Sequence, residues 1–82
     1  MTREQVIEKI NNFIVEDFEV ERDKLRPDAN IIETLEIDSL DLVDLVVLIE
    51  KNFGFKVKNE ELTAIRTLGD LYNYIHERVK DQ

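Results

Sequence analysis

The chain contains no cysteine, which excludes disulfides, thiolate catalysis and cysteine-ligated zinc. It has a single histidine, His76, so no cluster of histidine ligands can form. Two glycines and one proline leave little turn chemistry for a β-sandwich or barrel. The longest unbroken apolar run, Leu45 to Ile49, falls far short of the ~20 residues that span a bilayer. The opening MTREQVIEKI has no apolar stretch of signal-peptide type. Bases are also scarce: 11 against 19 acids, for a net charge of −8. That balance argues against nucleic acid, which requires a basic surface to displace counterions. It argues equally against anionic membranes and favours a basic protein partner.

What is present suits one small domain. Eighty-two residues leave no room for a second core, so 1–82 is expected to be a single domain. Apolar residues make up 43% of the chain, enough to build a core. The expectation is an acidic, soluble, cytoplasmic, monomeric protein, with no membrane insertion.

Helical periodicity dominates. From Arg3 to about Phe18, Val6, Ile10, Phe13 and Ile14 make one stripe. Thr2 and Gln5 match a capping box at its start. Glu19 to Asp38 follows without clear periodicity. A connection this long is unusual in a compact domain, and either is functional or contains short structure. It reads as an ordered loop pinned to the core by Leu25, Ile31, Ile32, Leu35 and Ile37. A second helix is expected from about Ser39 to Phe53, with Asp38 and Ser39 at its N-cap and Gly54 ending it. Its high apolar content makes it central in the fold or leaves part of its outer face apolar. A central strand is the rival reading, given Val46, Val47 and Ile49, but the length and the caps favour helix. Phe55 to Lys58 is an extended connector. Asn59 can cap a brief helix from Glu60 to Ala64. Thr67, with Asp70 three residues on, starts a last helix to about Val79, with Leu68, Leu71, Tyr72, Ile75 and Val79 inward.

The negative charge is not spread evenly. Asp28, Glu33, Glu36, Asp38, Asp41, Asp44 and Glu50 fall in one span that contains no lysine or arginine. The rest of the chain carries twelve acids and eleven bases. A solvated helix usually pairs its acids with bases four residues further on, and none of these has one there. Acids around exposed aliphatics make a surface that steers a basic partner and then packs against it.

Taken alone, Asp38-Ser39-Leu40 is simply a helix start. A nucleophilic serine would need a base and an orienting group, and His76 is the only candidate base. A calcium loop beginning at Asp38 fails, because Leu40, Leu42, Val43 and Ile49 would occupy positions that require oxygen ligands or glycine. His76 reads as a surface residue that complements the helix dipole. Tyr72 and Tyr74 read as packing and rim.

The longer pattern is more specific. Ile37 to Glu50, IDSLDLVDLVVLIE, resembles the phosphopantetheine attachment region of acyl carrier proteins. VIEKINNFI resembles that family's first helix, FKVKNEEL its connector into a short helix, and TLGDLYNYI its last helix. The resemblance implies an all-α, acyl-carrier-like bundle of three main helices plus one short helix. It implies 4′-phosphopantetheine attached covalently to Ser39 by a Mg²⁺-dependent phosphopantetheinyl transferase, with coenzyme A as donor. The protein would then be a shuttle substrate of fatty-acid synthesis, not an enzyme. Its partners would be acyl-processing enzymes with basic docking patches. They would meet Asp38, Asp41, Asp44 and Glu50, with Leu40, Val43 and Val47 as apolar contacts. The aliphatics of the second helix and Ile65 are candidates to shelter the acyl chain.

Three positions depart from the family pattern. Glu36 replaces a glycine two residues before Asp38, Lys58 replaces a proline, and the second helix ends Glu50-Lys51-Asn52 where strong acidity is usual. The departures at Glu36 and Lys51 leave open a specialised carrier for polyketide, lipid A-type, D-alanyl or aminoacyl loading. An acidic interaction domain without a cofactor is the alternative from a different class.

Overall fold

A computed structural model describes residues 1–80. The first helix, α1, spans Arg3–Phe18 and starts where the capping box predicts. The Thr2 hydroxyl accepts from the Gln5 amide at 3.2 Å, and the Gln5 side chain accepts from the Thr2 amide at 3.0 Å. Val6, Ile10, Phe13 and Ile14 are buried, as their spacing requires. The helix stops at Glu19, whose φ of 54° is left-handed.

The long connection does contain short structure. A 3₁₀ turn at Arg22–Lys24 is followed by a five-residue helix, α2, at Ile31–Leu35. Asn30 caps α2, its side-chain oxygen accepting from the Glu33 amide at 3.1 Å. The Ile32 carbonyl accepts from the amides of both Glu36 and Ile37, which closes the helix. Leu25, Ile31 and Leu35 are buried and Ile37 is half-buried. Ile32 departs from the expectation: it is 37% exposed and faces outward.

The α-helix α3 spans Leu42–Phe53, not Ser39–Phe53. A 3₁₀ turn over Ser39–Asp41 leads into it, so Asp41 and not Asp38 or Ser39 takes the N-cap position. Gly54 ends it at φ 81°, as expected. No strand forms among the described residues; the only β-type pairing there is an isolated bridge between Asn30 and Thr67. The helix α4 spans Asn59–Leu62. Lys58 rather than Asn59 is its cap, and the Lys58 carbonyl accepts from the Glu61 and Leu62 amides. The last helix, α5, spans Leu68–Val79 with the predicted Thr67/Asp70 capping box. Leu68, Leu71, Tyr72, Ile75 and Val79 are all buried.

The three main helices are therefore α1, α3 and α5, with α4 short; α2 is the addition. Their shared core includes Ile10, Ile14, Leu45, Ile49, Leu71 and Ile75, each fully buried. Complete burial of such side chains is worth roughly 1.5–3 kcal/mol apiece. Tyr72 ties α5 to α1, its hydroxyl donating to Asn11 at 2.5 Å. The connection is stitched to the start of α5 by three backbone bonds: Ile31 to Arg66, Leu68 to Ala29 and Gly69 to Pro27. That stitching fixes α2 beside the segment that follows α4.

Candidate functional site

The Ser39–Asp41 turn joins α2 to α3. The Asp41 amide donates to the Asp38 carbonyl at 2.9 Å. The Asp41 carboxylate accepts from the Asp38 amide at 3.4 Å, so the backbone of Ser39 lies inside a turn closed from both ends. Asp38 and Leu40, on either side of it, are exposed.

Leu40, Val43 and Val47 recur at steps of three and four and form one outward stripe, exposed by 84%, 59% and 55%. Glu50 continues that stripe, and Asp41 and Asp44 run alongside it. All seven acids between residues 28 and 50 are exposed. The ion pairs among the described residues, Arg78 with Glu61 and Lys80 with Glu77, involve none of them. On α3, Asp44 and Glu50 thus lie beside the exposed Val43 and Val47, with no ion pair among the described residues to neutralise them. Exposed aliphatics in contiguous array mark an interaction site more often than scattered ones do.

A groove of about 510 Å³ opens beside this face. The turn and the start of α3 supply Leu40, Leu42 and Val43; α2 supplies Ile31 and Ile32; the segment around α4 supplies Leu62, Thr63 and Ile65. Arg66 is the one charged residue lining it. Ile65 and the early α3 aliphatics are where the sequence reading puts them. Leu45 and Ile49 belong to the core instead. The sequence reading missed Ile31 and Ile32 as groove residues. Asn30 followed by Glu33 is a helix-start signature and was the available signal for α2.

At the start of α5, the Asp70 carboxylate accepts from the Arg66 and Thr67 amides, each at 3.2 Å. Those bonds hold it below its ordinary value of 3.8. His76, on α5, is half-buried and is not among the residues that line the groove. No group of three potential metal ligands forms among the described residues. Nor is any helix there long and apolar enough to cross a membrane.

Residues 8–75 match the family described as "Phosphopantetheine attachment site". The acyl carrier protein of Lactobacillus acidophilus is 35% identical over 92% of this chain and 94% of its own length. That of Thermotoga maritima is 38% identical over 95% of this chain and 96% of its own. The solved acyl carrier protein of Enterococcus faecalis superposes with a TM-score of 0.76 at 32% identity, over 94% of this chain and 98% of that one. A covalent 4′-phosphopantetheine is the group such a domain carries. With the family match spanning most of its length, the chain belongs to the phosphopantetheine-attachment family of acyl carrier proteins.

Proposed function

We propose that this chain is a single-domain, monomeric acyl carrier of fatty-acid synthesis in the cytoplasm, with Ser39 as the attachment residue. The observation that carries this reading is the closed turn at Ser39–Asp41, flanked by exposed Asp38 and Leu40 and opening onto an apolar groove. The residues present fit the cofactor. An arm attached at that turn would start between exposed Asp38 and Leu40, and Leu40 lines the groove. When bound, the arm supplies a terminal thiol that holds the acyl group as a thioester.

The chain's own residues then have separable roles. The Asp38–Asp41 turn presents Ser39 to the phosphopantetheinyl transferase. Leu40, Leu42, Val43, Leu62 and Ile65 offer apolar cover to an acyl chain, whose exposure to water costs ~0.8 kcal/mol per CH₂. Asp38, Asp41, Asp44 and Glu50 attract enzymes with basic patches, and Leu40, Val43 and Val47 then pack against them. In this reading the protein is a substrate carried between enzymes and catalyses nothing itself.

The test is the intact mass after incubation with coenzyme A, Mg²⁺ and a broad-specificity transferase. One phosphopantetheinyl group on the native chain and none on Ser39→Ala is expected. No adduct on the native chain, or an adduct surviving in Ser39→Ala, would overturn the reading.

A further inference from the structure

One wall of the groove is held far more sparsely than the others. The helix α4 has four residues and no side-chain cap. Its buried anchor is Leu62. The side-chain bonds that tie it to another element come from Glu61. One carboxylate oxygen of Glu61 accepts from the Arg78 guanidinium at 2.8 Å, and the other accepts from the Tyr74 hydroxyl. Both donors stand on α5. The guanidinium is itself seated on two rings, 5.1 Å from the centre of Tyr74 and 5.8 Å from that of Phe55. Those rings are 6.2 Å apart. Glu61 is therefore gripped by a charge and a hydroxyl that neighbouring packing already orients.

Behind this wall lies a second groove, of about 430 Å³, between α4 and α5. Glu61, Tyr74 and Arg78 line it. Ile65 lines both grooves, so the segment from Glu61 to Ile65 is a partition between them. The protonation states suit the grip. Burial, then the bond to Glu61, pushes Tyr74 up to about 12, so it is a neutral donor. The Tyr74 bond, then Arg78, holds Glu61 below its ordinary 4.5, so it is a charged acceptor.

We propose that Glu61, Tyr74 and Arg78 are positioning residues that hold this partition closed and so set the longest acyl chain the protein can shelter. The proposal rests on the carrier reading above, since it assigns the cargo limit of the same groove. With Glu61 held, a chain entering past Leu40 and Val43 stops at Ile65. With Glu61 released, α4 keeps only Leu62 and its backbone links, Ile65 yields, and the two grooves join. Longer chains then find cover and shorter ones are unaffected.

Tyr74→Phe and Glu61→Gln test this by two readouts. The first is amide hydrogen exchange on the unacylated chain. Residues 59–65 should exchange on the order of tenfold faster in both variants, the loss expected for one charge-assisted hydrogen bond, while α1 is unchanged. The second uses the phosphopantetheinylated chain loaded with saturated acyl groups of increasing length, with thioester cleavage by hydroxylamine followed over time. In the native chain protection should rise with length and then level off; in both variants it should keep rising to longer chains. Asn11→Ala is the control, because it removes the Tyr72 tie between α1 and α5 without touching α4. It should lower the melting temperature and leave the length at which protection levels off unchanged. Unchanged exchange at 59–65, an unchanged length limit in the variants, or an equal shift in Asn11→Ala would each overturn the proposal. Failure of the native chain to take the cofactor would overturn the carrier reading and the cargo limit with it. Faster exchange in that case would leave only the grip on α4 standing.

Discussion

The Gly69 amide donates to the Pro27 carbonyl at 2.8 Å, and a Cβ on residue 69 would lie 2.8 Å from that same oxygen. Real Cβ atoms do not approach a backbone oxygen so closely, so any side chain here must push the two strands of backbone apart. This contact is part of the stitching that holds α2 beside the groove. Gly69→Ala should therefore lose about 1–3 kcal/mol, a typical cost of overpacking a close contact. Urea denaturation measures it. A stability equal to that of the native chain would mean that the junction yields freely.

Glu36 sits at φ 55° and ψ 44°, at the end of α2 and two residues before Asp38. A residue with a Cβ pays about 1–2 kcal/mol for that left-handed geometry, and glycine gives back part of the gain through its freer unfolded chain. Glu36→Gly should accordingly be more stable by about 0.5 kcal/mol, while Glu36→Ala should gain nothing. The same denaturation experiment compares them. A loss on placing glycine there would show that the glutamate side chain holds the turn.

Asp70 gives a pH signature. Its carboxylate is held below its ordinary 3.8 chiefly by the Thr67 amide, then by the Arg66 amide. A lowered acid contributes stability that is present in full above the ordinary value and is lost as pH falls through the lowered one. Asp70→Asn should cost about 1 kcal/mol at pH 7, in line with the loss of a capping interaction. The gap between variant and native chain should close as pH falls below 3.8. A gap that persists at the lowest pH at which both fold would contradict a charge-based cap.

The exposed acids give a salt signature. Seven exposed acids without ion-pair partners among the described residues repel one another. Millimolar Mg²⁺ or Ca²⁺, or added salt, should raise the melting temperature, because screening relieves that repulsion. Asp44→Asn combined with Glu50→Gln should raise it as well and reduce the response to salt. A melting temperature that is flat or falls with salt would count against close spacing of these acids.

How much of this was legible in the sequence depended on the range of the interaction. Thr2 with Gln5 and Thr67 with Asp70 fixed the starts of α1 and α5, because a capping box is complete within four residues. Gly54 marked the end of α3 for the same reason. The helix α2 was harder, since five residues offer only the pair Ile31 and Leu35 as periodicity. The Ser39–Asp41 turn read as helix because the tightening that separates 3₁₀ from α leaves little trace in residue choice. The stripe of Leu40, Val43 and Val47 was visible as excess apolar content on one helix. The groove was legible only in part: Ile65 and the aliphatics at the start of α3 were, but the wall from Ile31 and Ile32 was not, because only backbone bonds between residues 27–31 and 66–69 bring α2 beside that segment. Glu61, Tyr74 and Arg78 meet only through the way α4 crosses α5, and nothing local announces that crossing.

The central claim is that Ser39 carries the cofactor. The most direct measurement is the mass of the chain isolated from its native host, followed by fragmentation to place any adduct. A single phosphopantetheinyl group, with or without an acyl load, mapped to Ser39 is the expected result. A chain isolated only in unmodified form, or an adduct mapped to any other residue, would contradict it.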